Sequence, residues 1–243
     1  MKDLITSILN ETDYKNNPYF IGLQNGDFSK EDFIETQIQF FFAVVFFNRP
    51  MAALAAKIPS AELRLEILKN VWEEHGEGSL SMTHENTFLT FLNRLGNVTA
   101  KDINERTLWP EIRIFNTCLT GACVMDDYLV GTALLGIIEL MFCHISSILA
   151  DGVINRGWLV SDKMIHYNLH LELDIKHSQD FFNILEASWK DSIENKYLIE
   201  QGLRLGATLF NNLYYGLYQN RKKRLNRSFL GPHSKAEGYT IKL

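Results

Sequence analysis

Residues 128–150 read YLVGTALLGIIELMFCHISSILA, and the way this stretch is housed decides the fold. It is long enough to cross a bilayer, which takes about 20 apolar residues in a helix. It also carries Glu139 and His144 near its middle, and ionisable side chains there are costly in lipid. No cluster of Lys or Arg flanks it to support insertion. A helix apolar on all sides is equally what the centre of a large soluble bundle needs. The stretch therefore reads as the central helix of a soluble all-α protein, expected in the cytoplasm and without membrane contact.

The flanking sequence supports the same class. Five prolines and fifteen glycines are spread over 243 residues and fall at segment edges, and no strand-like alternation persists. A short helix is expected over about 2–10, then an extended stretch with Pro18. Ser29 reads as an N-cap with Glu31 and Asp32 in the first turn, opening a helix interrupted or kinked at Pro50. Ser60 caps AELRLEILKNVWEEH, which Gly76 and Gly78 loosen, and a further helix runs from about 80 to 95. Thr99 and Asp102 have capping-box spacing. Helices over about 110–123, 127–150, 162–187 and 191–220 complete the chain. The expected architecture is a bundle of about seven or eight helices around one core. Residues 1–225 form its single domain and residues 226–243 a C-terminal tail.

Composition narrows the function. Apolar residues make up 46% of the chain, enough to bury a core without covalent staples. The net charge is −5, which argues against nucleic acid, whose phosphates demand a basic footprint. The cluster Arg221, Lys222, Lys223, Arg224 suits the negative end of the preceding helix. Cys118, Cys123 and Cys143 cannot all pair and lie in apolar segments, so they read as reduced core residues. The N-terminal segment is too acidic, and its apolar part too short, for a signal peptide.

The chemistry lies in the histidines and carboxylates. On a helix, position 174 lies about 40° from position 170, and position 177 about 20° the other way. His170, Asp174 and His177 therefore share one stripe. Imidazole and carboxylate together suit iron, manganese or zinc. Glu139, in its apolar helix, needs a partner, either a cation or a buried Tyr, His or Arg. Upstream, Glu74 and His84 are about 80° out of register on one straight helix, whereas Glu77 and His84 align. A loosening at Gly76 and Gly78 would bring Glu74 back, so spacing leaves both carboxylates open. With Glu74 or Glu77, His84, Glu139, His170, Asp174 and His177, a dinuclear iron or manganese site is the natural inference. Three carboxylates against two divalent cations leave one positive charge, which a hydroxide, a peroxide or a carboxylate substrate can balance.

In order, Asn70, Trp72, Glu74, Gly76, Gly78 and His84, then Glu139, then His170, Asp174 and His177 resemble the signature of the haem-oxygenase-like di-iron oxidases. The segment NGDFSKEDF (25–33) is similar to that family's early helix start. The resemblance implies a haem-oxygenase-like bundle that binds two irons and reacts with O2. It selects Glu74 as the ligand, with Glu77 as the fallback. Reactions in the family include oxidative decarboxylation of fatty acids to terminal alkenes and N-oxygenation of amines. They also include oxidative fragmentation of amino acids, among them conversion of a tryptophan-type side chain into a nitrile. Members that make 4-aminobenzoate from their own tyrosine carry side chains that Phe20, Ile138 and Leu149 replace here, so that chemistry is not expected. Thiaminase-like relatives use a nucleophilic Cys and do not need six metal ligands.

The expected substrate is a small carboxylate-bearing metabolite in a biosynthetic pathway, with oxidative cleavage of an aromatic amino acid to a nitrile as the specific reading. A fatty-acid decarboxylase or amine N-oxygenase is the alternative, and a metal-binding helical effector the non-enzymatic one. Phe41 and Phe46, within a helix that also carries Phe40, Phe42 and Phe47, are candidate substrate contacts, although at this spacing they equally suit a core. Tyr167 lies one turn before His170. Arg204 is the candidate anchor for a carboxylate, with an internal salt bridge as its plainer reading. An external electron donor and a homodimer are the remaining partners expected.

Overall fold

Most of the helices start where a side chain satisfies backbone N–H groups that the helix itself leaves unpaired. In the computed structural model, which describes residues 1–227 less the side chains of residues 165 and 168–175, Asn17 accepts from Tyr19 N and opens α2 (Pro18–Asn25). It follows α1 (Lys2–Thr12). Ser29 caps α3 (Lys30–Ala55), Ser60 caps α4 (Ala61–Glu74) and Thr83 caps α5 (His84–Gly96). Thr99 and Asp102 close a full capping box on α6 (Ala100–Glu105). Next come α7 (Pro110–Thr120), ending in one π turn at Gly121–Met125, and α8 (Tyr128–Asn155), capped by Asp127. The last two are α9 (Ile165–Asp191) and α10 (Ile193–Asn220).

Among the described residues there is no strand, only one isolated bridge between Arg106 and Asn226. The all-α expectation holds, with short α2 and α6 raising the helix number above seven or eight. Three local expectations change. Pro18 begins a helix, because a first-turn residue has no N–H to lose. Pro50 does not interrupt α3: Met51, Leu54 and Ala55 beyond it are buried, and their packing holds the last turn. The helix expected from about residue 80 begins only at His84. At the C-terminal end, Leu225 O accepts from Thr107 N, and Arg227 N donates to Glu105 O, so residues 225–227 lie along the body. Residues 228–243 of the expected tail lie outside the described residues.

The helix α8 sits at the centre and packs most extensively on α9 and α10. It and α3 are long and apolar enough to cross a membrane, and both are largely buried within the bundle. Two glycines one turn apart allow the closest approach. A Cβ on Gly202 would lie 2.3 Å from Val130 O, and one on Gly206 would lie 2.7 Å from Leu134 O. The buried polar residues of α3 are tied to neighbouring segments. Gln39 accepts from Trp109 N and donates to Thr107 O. Glu35 accepts from Arg106 Nε at 3.1 Å. Gln37 joins the Tyr19 and Tyr167 hydroxyls. These links fix α3 in rotation and so choose which of its aromatic faces looks inward.

Gly202→Ala is expected to destabilise the protein by about 1–3 kcal/mol, the usual cost of overpacking, because the obstacle is backbone. Gly121→Ala, where an added Cβ meets nothing within 4 Å and φ is −55°, should be neutral or stabilising by up to about 1 kcal/mol. Urea unfolding midpoints of the two variants check this contrast.

Candidate metal centre

The site depends on how α4 stops. Gly76, Glu77 and Gly78 have φ values of +64°, +52° and +87°, all in the left-handed region that ends helices. Gly76 is also required for space, since a Cβ there would lie 2.6 Å from the backbone of Met82 and Thr83. The chain reverses through a short turn at Leu80–Met82 and enters α5 at His84. His84 Nδ1 consequently lies 2.7 Å from Glu74 Oε2, with both side chains buried. Glu77 is carried to the exposed side of the turn. The alignment that favoured it holds only on one straight helix, and the fallback is therefore set aside.

Glu139 projects from the middle of α8 and is 3% exposed. His177, on α9, is fully buried, and its Nδ1 lies 3.9 Å from Glu139 Oε2. One ligand atom from each of Glu74, Glu139 and His177 falls within 4.8 Å of the other two. That is close to the spread of donors lying about 2.1 Å from a shared ion or from neighbouring ions. The donor set is oxygen and nitrogen without sulfur, which fits iron, manganese or zinc. Burying two carboxylates this close is costly without positive charge between them. Among the described residues His177 Nδ1 has no hydrogen-bond partner, so a metal ion could meet a lone pair there. The side chains of His170 and Asp174 lie outside the described residues. Their helix, α9, is unbroken from Ile165 to Asp191, so the helical register that groups them with His177 is kept.

Two residues at this centre escaped the sequence reading. Glu73 turns from α4 toward α9, where Oε2 meets His177 Nε2 at 2.6 Å and Oε1 meets Lys176 Nζ at 2.7 Å. Burial alone would push its carboxyl up, but the hydrogen bonds from Lys176 and His177 outweigh burial and hold it below the usual range. Nothing in the local sequence marks Glu73, because its partners lie more than a hundred residues away. His166 was within reach of the sequence: it extends the stripe of His170, Asp174 and His177 by one turn. It is fully buried, and its Nδ1 lies 3.1 Å from Thr87 Oγ1.

Above the polar cluster lies a small cavity of about 50 Å³, partly open to solvent. Glu74, His84, Glu139 and His166 form its polar end. The walls are Phe40, Ala43, Val44 and Phe47 of α3, with Phe115, Ile138, Phe142 and Phe210 opposite. Thus α3 offers the stripe 40, 43, 44, 47. Phe41, about 100° away on the helix, packs against Phe42 and Phe88 instead. Phe46 is half-buried and not in the wall. Tyr167 is fully buried among Phe88, Phe91 and Phe142, with its hydroxyl bound to Gln37, and does not reach the cavity. Arg204 is not at the cavity either. Its guanidinium is 43% exposed and held by Glu11 and Glu200 at 2.8 and 2.7 Å. Leu203 is buried on one side of α10 while Arg204 lies on another, so apolar sequence neighbours did not imply an apolar setting. Among the described residues, no Lys or Arg lines the cavity.

Residues 35–210 match the model of a family described as iron-containing redox enzymes. No curated protein matches the sequence. Several solved structures share the fold. A CADD-like protein of unknown function from Nostoc punctiforme superposes with a TM-score of 0.71 at 15% identity, over 90% of this chain and 96% of that one. A TenA homologue from P. horikoshii gives 0.70 at 13% identity, over 90% and 98%. A domain of unknown function with a heme oxygenase-like fold from Shewanella denitrificans gives 0.70 at 13%, over 90% and 89%. At these identities the likeness establishes a haem-oxygenase-like fold and no more.

The two neighbouring carboxylates separate experimentally. Glu74→Ala is expected to lower bound iron per chain after ferrous loading and desalting, and Glu77→Ala to leave it at the wild-type value. Colorimetric iron assay distinguishes them, and the reverse pattern would show that the turn is drawn wrongly.

Proposed function

The chain belongs to the iron-containing redox enzyme family, and from that premise we propose that it is an O2-dependent oxidase holding two irons. The ligands are Glu74, His84, Glu139, His170, Asp174 and His177. The observation that carries this reading is the convergence of Glu74, Glu139 and His177 at the closed, polar end of an aromatic cavity. Iron held there supplies redox chemistry with O2 that no side chain of this protein can perform. The protein's own groups hold the metal, exclude water and shape the space beside it. An external electron donor would be the remaining partner such chemistry requires.

The substrate is a small carboxylate-bearing metabolite with an apolar body. Rings such as Phe40, Phe47 and Phe115 accept an indole or phenyl group edge-on or offset. An aromatic amino acid, cleaved oxidatively to a nitrile, is the first candidate. One observation favours a second: with Arg204 at the surface and no Lys or Arg in the wall among the described residues, a bound metal would be the counter-charge for a carboxylate. That arrangement equally suits a fatty acid whose carboxylate faces the metal and whose chain fills the aromatic chamber, giving a terminal alkene.

Ferrous iron is added anaerobically, and O2 is then admitted with tryptophan-type amino acids in one arm and medium-chain fatty acids in the other. Faster O2 consumption, with decay of a transient visible absorption, is expected in one arm. Failure of the wild type to bind iron at micromolar concentration, or unchanged binding in His170→Ala, rejects the reading. Ala43→Phe, which fills the chamber, should keep the iron and lower kcat/KM by about 10- to 100-fold. Arg204→Ala should change neither.

A further inference from the structure

We propose that Glu73 is a positioning residue that fixes the tautomer and orientation of His177, so that Nδ1 rather than Nε2 is its metal-binding nitrogen. This inference rests on the metal site proposed above. Glu73 and Glu74 are consecutive on α4, so their side chains diverge by about 100°. Glu74 enters the cavity, while Glu73 reaches sideways to α9. An ionised carboxylate only accepts hydrogen bonds. At 2.6 Å from Glu73 Oε2, His177 Nε2 therefore carries the proton. In a neutral imidazole the lone pair then belongs to Nδ1, the atom that faces Glu139 Oε2 at 3.9 Å and has no hydrogen-bond partner.

The other Glu73 oxygen is held by Lys176 at 2.7 Å. Side-chain exposure rises from 0% at His177 to 15% at Glu73 and 52% at Lys176. Lys176 thus neutralises Glu73 from the solvent side, and Glu73 can stay ionised close to a site already rich in carboxylates. A carboxylate on the far nitrogen of a metal-bound histidine orients the ring and raises its donor strength, and losing such a partner typically costs about 10- to 100-fold in metal affinity. His177 is adjacent to Lys176 in sequence, so one α9 turn presents both partners of the same carboxylate.

Cobalt(II) alone serves as the probe, in the full chain labelled with 15N-histidine. The wild type should show a hyperfine-shifted histidine N–H that exchanges slowly with water, from Nε2–H held by Glu73. Glu73→Ala should weaken cobalt binding about 10- to 100-fold and lose that resonance to fast exchange. Glu73→Gln keeps an acceptor without the charge, so it should restore the slow N–H and part of the affinity. That graded response separates positioning from a general loss of structure. If the wild type binds cobalt and both variants bind it equally tightly with the same N–H signal, the role of Glu73 is overturned and the metal site stands. If the wild type binds no cobalt, the metal site falls and this proposal falls with it.

Discussion

Two carboxylates, Glu74 and Glu139, are buried to 4% and 3% exposure in a bundle interior otherwise built from phenylalanine and aliphatic side chains. In such surroundings an ionised carboxylate is stable only beside positive charge or a set of donors, and otherwise it takes up a proton. The molecule brings imidazoles to them: His84 onto Glu74, and His177 toward Glu139. The left-handed turn at residues 76–78, the unbroken α9 and the central place of α8 all follow from meeting that requirement. A metal ion satisfies it more completely than any imidazole, because it can accept electron pairs from both carboxylates and both rings together.

The packing around this polar point is correspondingly asymmetric. On one side α8, α9 and α10 lie close, with Gly202 and Gly206 letting α10 press against the α8 backbone. On the other, α3 stands off far enough to leave a cavity. Its rotation is set by buried polar links through Glu35, Gln37 and Gln39 rather than by its apolar residues, which cover most of its circumference and would tolerate several rotations. The polar links therefore decide that the stripe of Phe40, Val44 and Phe47 faces the metal centre, while Phe41 closes the core against α5.

What could be read from the chain follows the same division. The burial of α8 was legible, because an apolar helix with one carboxylate and no flanking cations has few other places to go. The helix that carries His170, Asp174 and His177 was legible because helical register is a local property. His166 belonged to the same stripe and could have been included by extending it one turn. Where tertiary geometry decides, local spacing and neighbours were ambiguous or misleading. Helical spacing preferred Glu77 until three left-handed residues redirected the chain. Arg204 sat among apolar letters, yet its partners Glu11 and Glu200 place it at the surface. Glu73 has no local mark at all, since its function is defined by residues of a distant helix.

The distribution of charge in the cavity has a consequence for how metal and substrate bind. The lining contains two carboxylates, two imidazoles and aromatic or aliphatic walls, with no fixed cation. An anionic substrate entering the metal-free cavity would meet carboxylates of its own sign in a poorly solvated space, where like charges repel strongly. With the metal in place the sign of the polar end reverses, and the same substrate is attracted to it. For the proposed metal and an anionic ligand, metal loading would then raise ligand affinity, and by thermodynamic reciprocity the ligand would tighten metal binding by the same factor. A site built this way would not need a separate arginine clamp, because a bound ion would itself select the charge of what lies beside it.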